Sequence, residues 1–117
     1  MARTATAEDE MALSMIADRL TTEHAEIGKF RDGLDDAPAH AFEWGERALQ
    51  AAVRMDVYGY LSKTIHKKGV RAAVELAGRE AMQHVRFPER STAPLGRLVH
   101  LTAGMIYAEF ANDFKDL

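Results

Sequence analysis

The chain has 117 residues, of which 47% are hydrophobic and 28% charged, and its formal net charge at neutral pH is -3. This size and composition predict one globular domain spanning residues 1–117, and they exclude an intrinsically disordered chain. The absence of cysteine excludes disulfides, thiolate nucleophiles and cysteine-ligated metal sites. Because the start, MARTATAEDE, is polar and no apolar run is long enough to span a bilayer, we expect a cytoplasmic protein without membrane contact.

The charge is distributed unevenly along the sequence. Residues 1–46 carry a net charge of -7, residues 47–97 carry +6 and residues 98–117 carry -2. Such segregation indicates either two parts of one fold that attract each other or a basic surface that faces an anionic partner. Both interpretations remain open from composition alone.

The first predicted helix spans residues 6–34. Thr6 stands in the N-cap position, and three acidic residues follow in the first turn, where the helix dipole favours negative charge. Gly33 predicts the end of the helix. A stripe of apolar spacing includes His24, which we expect to be a core histidine; the stripe consists of Leu13, Ile16, Leu20, His24, Ile27, Phe30 and Leu34.

The second predicted helix spans residues 38–68, with Pro38 in its first turn. Its end is marked by Lys67 and Lys68, which suit the negative end of the helix dipole, and by Gly69, which can adopt the left-handed conformation. This helix stop is a sufficient structural explanation for much of the basic run KTIHKKGVR at residues 63–71. The predicted buried face comprises Phe42, Leu49, Val53, Val57, Tyr60 and Leu61.

The third predicted helix, residues 70–86, is clearly amphipathic. Its apolar side comprises Val70, Val74, Ala77, Ala81 and Val85, and its polar side Arg71, Glu75, Arg79 and Arg86. Phe87-Pro88 ends it, because a residue before proline avoids the helical region.

The fourth predicted helix begins near Pro94 and reaches Phe114. Its apolar arc is wide enough to predict that it is the central helix, with Gly104 and Ala108 permitting close approach of a neighbour. Whether Phe110, Phe114 and Leu117 belong to the core or to an exposed docking patch stays open. The four helices and their short connections predict an all-α, four-helix bundle-like domain with mostly antiparallel neighbours.

The sequence offers no positive support for catalysis, and we expect a non-enzymatic protein without cofactor. No glycine-rich phosphate loop is present. The paired Glu-x-x-His motifs of di-iron bundles are missing, because Glu23-His24 and Glu80 with His84 have the wrong spacing. Glu43 and Glu46, one turn apart, are expected to form a solvated helix face rather than a catalytic pair. We therefore predict no catalytic residue and no metal ligand.

The basic residues of the middle third suggest a nucleic-acid interface. Arg47, Arg54 and Tyr58 project in similar directions from the second helix, which suits a surface that follows phosphates and stacks a base. The alternative is a rim on which arginine stems cover apolar surface. No RNA-recognition motif is present, so contact with the backbone alone is expected. The predicted binding residues are Arg47, Arg54, Tyr58, Lys63, Lys67, Lys68, Arg71, Arg79, Arg86 and Arg90.

The segment YGYLSKTIHKKGVRAAVELAGREA, residues 58–81, resembles the small subunits of class 1 CRISPR effector complexes. In that family a helix bearing tyrosine and lysine ends near a glycine turn before a helix rich in small residues; here valine replaces the more usual leucine after Gly69. The resemblance implies a non-catalytic subunit that touches guide or target nucleic acid, RNA or an RNA–DNA hybrid. It also implies other protein subunits as partners and several copies per complex. The matching residues are Tyr58, Leu61, Lys63, Ile65, Gly69, Val70 and Ala73.

Two other functions compete with this one. A protein–protein adaptor, such as a phage- or plasmid-encoded inhibitor or assembly factor, would direct the basic middle of the chain toward an acidic protein. LTTEHAEIGKF, residues 20–30, also resembles the entry helix of hemerythrin-like proteins, but the later histidine motifs of that family are missing. The resemblance makes a hemerythrin-like or di-iron bundle a third alternative, and the missing motifs make it the weakest of the three.

Overall fold

The computed structural model describes residues 4–36, 41–86 and 94–116. Four helices follow one another: α1 (Ala7–Asp36), α2 (Ala41–Lys68), α3 (Val70–Arg86) and α4 (Pro94–Phe114). No strand occurs within the described ranges. The predicted all-α, four-helix bundle-like architecture is therefore confirmed.

The helix ends agree with the sequence at most positions. α3 has the predicted bounds, whereas α1 continues through Gly33 to Asp36, so the predicted break at Gly33 is wrong. A glycine inside a helix costs only about 1 kcal/mol relative to alanine, which a long helix can tolerate. Pro38 and Arg90 lie outside the described residues, as does Leu117.

The start of α1 is held by a reciprocal pair of hydrogen bonds between Thr6 and Asp9. The Asp9 amide donates to Thr6 Oγ1 at 3.2 Å, and the Thr6 amide donates to Asp9 Oδ2 at 2.9 Å. This is a capping box with aspartate at its third helical position, and it confirms Thr6 as the N-cap. Asp9 is only 1% exposed. Its other carboxylate oxygen, Oδ1, accepts a hydrogen bond of 2.9 Å from the amide of Val70, the first residue of α3.

The turn between α2 and α3 consists of Gly69 alone. Its φ of 94° is in the left-handed region, as predicted, and its amide donates to the carbonyl of Ile65 at 2.9 Å. The Gly69 carbonyl then accepts the first backbone hydrogen bond of α3, from Ala73 at 3.2 Å. One residue therefore ends one helix and begins the next, which brings the end of α2 and the start of α3 close together.

Helix α2 is at the centre of the fold. It packs against α1, α3 and α4, whereas α4 packs mainly against α3 and α2. The prediction that α4 is the central helix is therefore wrong. Because α4 has close neighbours on only part of its surface, its wide apolar arc is not all covered: Leu101 is 46% and Met105 70% exposed. Gly104 is buried as expected, but Ala108 is exposed.

The hydrophobic core draws on all four helices. Phe110 and Phe114 belong to it, with ring centroids 4.9 Å apart, so these two residues are core rather than an exposed docking patch. Burying such side chains supplies most of the driving force for folding. The buried cluster comprises Ala12, Ile16, Val57, Tyr58, Leu61, Ile65, Val70, Ala73, Ala77, Ala103, Ile106, Tyr107, Phe110 and Phe114.

Two side-chain orientations differ from expectation. His24 is exposed rather than in the core. It lies about 80° around the helix from buried Ile16, whereas Glu23 lies about 20° from Ile16 and faces α2. On α2, Tyr58 is about 20° from fully buried Ile65 and Tyr60 about 140° away. Tyr58 is therefore 3% exposed and Tyr60 48% exposed, the reverse of the predicted arrangement.

Candidate nucleic-acid interface

The predicted strip of Arg47, Arg54 and Tyr58 does not form an open surface. Arg47 Nη2 lies 2.9 Å from the carboxylate of Glu43 one turn earlier. Arg54 Nε donates to Glu23 Oε1 at 2.8 Å, linking α2 to α1, and both side chains are largely buried. The Tyr58 ring is in the core, so its predicted role in stacking a base is wrong. At Arg54, therefore, a cation of the basic middle of the sequence pairs within the fold with a carboxylate of the acidic first part.

Arg19, which the sequence did not single out, explains how the Tyr58 hydroxyl is accommodated. Its Nη1 donates to that hydroxyl at 3.3 Å, its Nη2 lies 3.0 Å from Asp113 Oδ2, and its guanidinium stands 5.6 Å from the Tyr58 ring centroid. Burial opposes the charged form, but the bonds to Asp113 and Tyr58 outweigh it and raise the pKa of Arg19. Burial also raises the pKa of Tyr58, although Arg19 opposes this shift. The cluster joins α1, α2 and α4.

Four other predicted residues do come together, in a groove between α2 and α3. Lys63, Lys67 and Lys68 project from α2 and Arg79 from α3, and the groove has a volume of about 410 Å³. We call it the basic groove. It is lined by Tyr60, Lys63, Thr64, Lys67, Lys68, Ala72, Glu75, Leu76 and Arg79.

The positive charge of the basic groove is available to a ligand. All four cationic side chains are exposed, and no ion pair joins any of them to another described residue. The groove contains one carboxylate, that of Glu75, so the positive charges are in excess. A concave surface lined by one sign of charge concentrates the field and attracts counter-ions of the opposite sign.

Two further predicted residues, Arg71 and Arg86, lie outside the basic groove. Arg71 is exposed in a hollow of about 220 Å³ that it shares with Lys68 and the start of α1. Arg86 is exposed at the far end of α3, about 22 Å along the helix axis from Arg71. Arg90 lies outside the described residues. Of the nine predicted residues that the structure describes, four therefore come together in the basic groove.

A second opening adjoins the basic groove where α2, α3 and α4 meet. It has a volume of about 660 Å³, and Tyr60 and Lys63 line both openings. We call it the side cleft. Its lining consists of Met55, Asp56, Gly59, Tyr60, Lys63, Glu80 and Tyr107. Tyr60, which the apolar spacing predicts to be buried, is therefore a surface residue that the sequence did not identify.

Titratable side chains are grouped behind the side cleft. His84 Nδ1 and His100 Nδ1 are 2.9 Å apart, so one ring donates a hydrogen bond to the other, and His84 Nε2 lies 3.6 Å from Glu80 Oε2. Burial and the neighbouring His100 lower the pKa of His84, against the pull of Glu80. Burial, followed by the charge of Glu80, raises the pKa of Tyr107 to about 12, so its phenol is protonated at neutral pH.

Within the described ranges, no group of three or more histidine, aspartate or glutamate side chains is arranged to hold a metal ion. In the same ranges, none of the helices combines the length and the hydrophobicity needed to cross a bilayer. No protein-family model, curated protein or solved structure matches this chain.

Proposed function

We propose that the chain is a non-catalytic protein that binds the phosphate backbone of nucleic acid through the basic groove. The observation that carries the proposal is the grouping of Lys63, Lys67, Lys68 and Arg79 in one groove, exposed and without ion-pair partners among the described residues. Cations without ion-pair partners are available to replace counter-ions on a polyanion, which supplies most of the affinity in sequence-independent binding.

The dimensions of the basic groove suit a short stretch of one strand. Lys63 to Lys68 spans about 7.5 Å of helix axis, and phosphates of one strand follow one another at about 3.4 Å along a duplex. Lysine acts on phosphate as a flexible point charge, while Arg79 on the opposite wall can form a forked contact. Such contacts position a strand without reading its sequence.

The most specific form of this proposal is a cytoplasmic small subunit of a class 1 CRISPR effector complex, present in several copies and touching the guide RNA or the guide–target hybrid. The likeness of residues 58–81 to that family supports it, and so does the all-α fold. At the start of α1, Glu8 and Glu10 are exposed acidic residues. These carboxylates are available to exposed cations of the next copy outside the basic groove, such as Arg86, and head-to-tail contact of that kind builds an open array.

The proposal is tested by the salt dependence of binding to a labelled oligonucleotide of about 30 nucleotides, as single-stranded RNA and as RNA–DNA hybrid. The groove variant carries Lys63→Ala, Lys67→Ala and Arg79→Ala. The control carries Lys29→Ala, Arg47→Ala and Lys115→Ala, which remove the same charge from exposed positions outside both openings.

We expect wild type and control to show similarly steep losses of affinity with salt. The groove variant should lose about two units of the logarithmic slope, because each lost single-strand contact removes about 0.7. Equal slopes for the groove variant and the control would overturn the assignment of the groove.

A second candidate function is a protein–protein adaptor, such as a phage- or plasmid-encoded inhibitor. It is favoured by Leu101 and Met105, which are one turn apart on α4 and respectively 46% and 70% exposed. Contiguous exposed apolar surface is typical of protein contacts. This candidate predicts that wild-type protein binds neither oligonucleotide near physiological salt.

A further inference from the structure

The aromatic ring of Tyr60 stands between two openings of different chemistry. On one side is the basic groove, which attracts phosphate. On the other is the side cleft, where Asp56 and Glu80 contribute carboxylates. A strand that follows the basic groove toward the side cleft therefore meets a half-exposed ring at the point where its phosphates would begin to be repelled.

The side cleft is an open, largely polar hollow with room for one nucleobase. Its volume of about 660 Å³ is within the usual range of 300–1,000 Å³ for ligand sites. Met55, Gly59 and the rings of Tyr60 and Tyr107 supply apolar surface. Polar groups form the larger part of the wall and can orient a base by hydrogen bonds.

Hydrogen-bonding capacity in the side cleft is asymmetric. The carboxylates of Asp56 and Glu80 can only accept, whereas the Lys63 ammonium and the Tyr107 phenol, which is protonated at neutral pH, can donate. The exocyclic amino groups of adenine, cytosine and guanine are donors that suit these carboxylates, and uracil has no such group.

From these observations we infer that the ligand is single-stranded nucleic acid, with one unpaired base stacked on Tyr60 and directed into the side cleft while the adjacent phosphates lie in the basic groove. The inference rests on the proposed function and makes it more specific. Bases in a duplex are stacked on one another and are not available to Tyr60, whereas every unpaired base has a face that stacks on an aromatic ring. The two carboxylates favour bases whose exocyclic amino group presents two N–H donors over uracil, whose base edge offers only the N3–H.

Gly59 provides a way to close the side cleft without disturbing the fold. It is exposed on α2, and a Cβ added there would meet nothing within 4 Å. Gly59→Leu would place a side chain in the opening and would replace a poor helix former. Gly45→Leu is the matched control, because Gly45 is also exposed on α2 with open space at its Cβ but lines neither opening.

The experiment measures the binding of oligo(A), oligo(C) and oligo(U) as single-stranded RNA, and of an RNA duplex of the same length. We expect wild type to prefer single strands to duplex and oligo(A) or oligo(C) to oligo(U). Tyr60→Ala and Gly59→Leu should each weaken single-strand binding about tenfold. Gly45→Leu should match wild type. Helix content measured by circular dichroism identifies any variant that fails to fold. Tyr60→Phe keeps the aromatic ring and should therefore retain single-strand binding.

Two outcomes contradict the inference and separate it from the proposed function. If duplex and single strands bind equally, and Tyr60→Ala and Gly59→Leu resemble Gly45→Leu while the groove variant loses binding, the nucleobase site is wrong and backbone binding stands. If wild type binds none of the oligonucleotides, backbone binding and the nucleobase site are both wrong.

Discussion

The buried carboxylate of Asp9 should be among the most important single groups for stability. It accepts hydrogen bonds of 2.9 Å from the amides of Thr6 and Val70, at the starts of α1 and α3. Both amides are among those that a helix cannot pair by itself, and a negative charge there also suits the helix dipole. Asp9 therefore stabilises two helix starts at once and ties α1 to the turn from which the basic groove begins.

The magnitude follows from those contacts. A hydrogen bond to a charged group contributes about 1.5–3 kcal/mol, and loss of a capping side chain costs about 0.5–2 kcal/mol. Allowing for overlap between these effects, we expect Asp9→Ala to lower the free energy of unfolding by about 3–4 kcal/mol. That is a large share of the roughly 5–15 kcal/mol typical of a domain. Asp9→Asn should cost about half as much, because its single amide oxygen retains one acceptor but no charge.

Urea unfolding followed by circular dichroism at neutral pH measures these differences. Glu10→Ala is the control, because Glu10 is in the same first turn of α1 but is exposed. Its effect should stay within about 1 kcal/mol, the range of a dipole interaction at the surface. Exchange of the Val70 amide hydrogen should accelerate in Asp9→Ala beyond the global change in stability. If Asp9→Ala cost no more than Glu10→Ala, the double role of Asp9 would be refuted.

Three further changes test other contacts. Arg54→Ala should lower the free energy of unfolding in urea by about 1–3 kcal/mol, because it breaks the contact with Glu23, and it should leave the salt dependence of RNA binding unchanged. A weaker salt dependence with unchanged stability would contradict this. The pKa of His84 is lowered in the fold below its ordinary 6.5, so the unfolded chain binds more protons. The free energy of unfolding should be highest above about pH 6.5 and should decline as the pH falls from there through the folded-state pKa of His84. Urea unfolding midpoints measured across this pH range should decline less in His84→Gln than in wild type. An equal decline in the two proteins would contradict this role of His84. Gly78→Ala fills open space on α3 and should raise stability by about 1 kcal/mol and the melting temperature by a few degrees, whereas a lower melting temperature would show that Gly78 is needed.

Local features of the fold were readable from the sequence because they depend on neighbouring residues. The N-cap at Thr6 and the left-handed turn at Gly69 each follow from residue types within a few positions, and the structure shows both. The amphipathic pattern of α3 is as clear in the sequence as in the structure, where Arg71 and Arg79 are exposed while Ala77 is buried.

Features that depend on how helices are rotated against one another were not readable in this way. Tyr58 and Tyr60 are both large and aromatic, and only the direction of contact with α1 and α4 decides which is buried. The partner of Arg54 is 31 residues away on another helix, so no local pattern identifies Glu23. The same reason explains why only four of the nine predicted residues that the structure describes line the basic groove. Lys63 and Arg79 face each other only after α2 and α3 have folded back at Gly69.

Protection of individual lysines is the most direct test of the basic groove, because it locates the ligand on wild-type protein. The five lysines are Lys29, Lys63, Lys67, Lys68 and Lys115, of which the middle three line the groove. Acetylation by a limiting reagent, read by mass spectrometry, gives the reactivity of each with and without single-stranded RNA. We predict that RNA reduces the reactivity of Lys63, Lys67 and Lys68 and leaves Lys29 and Lys115 unchanged. Equal protection of all five, or protection confined to Lys29 and Lys115, would contradict nucleic-acid binding in the groove.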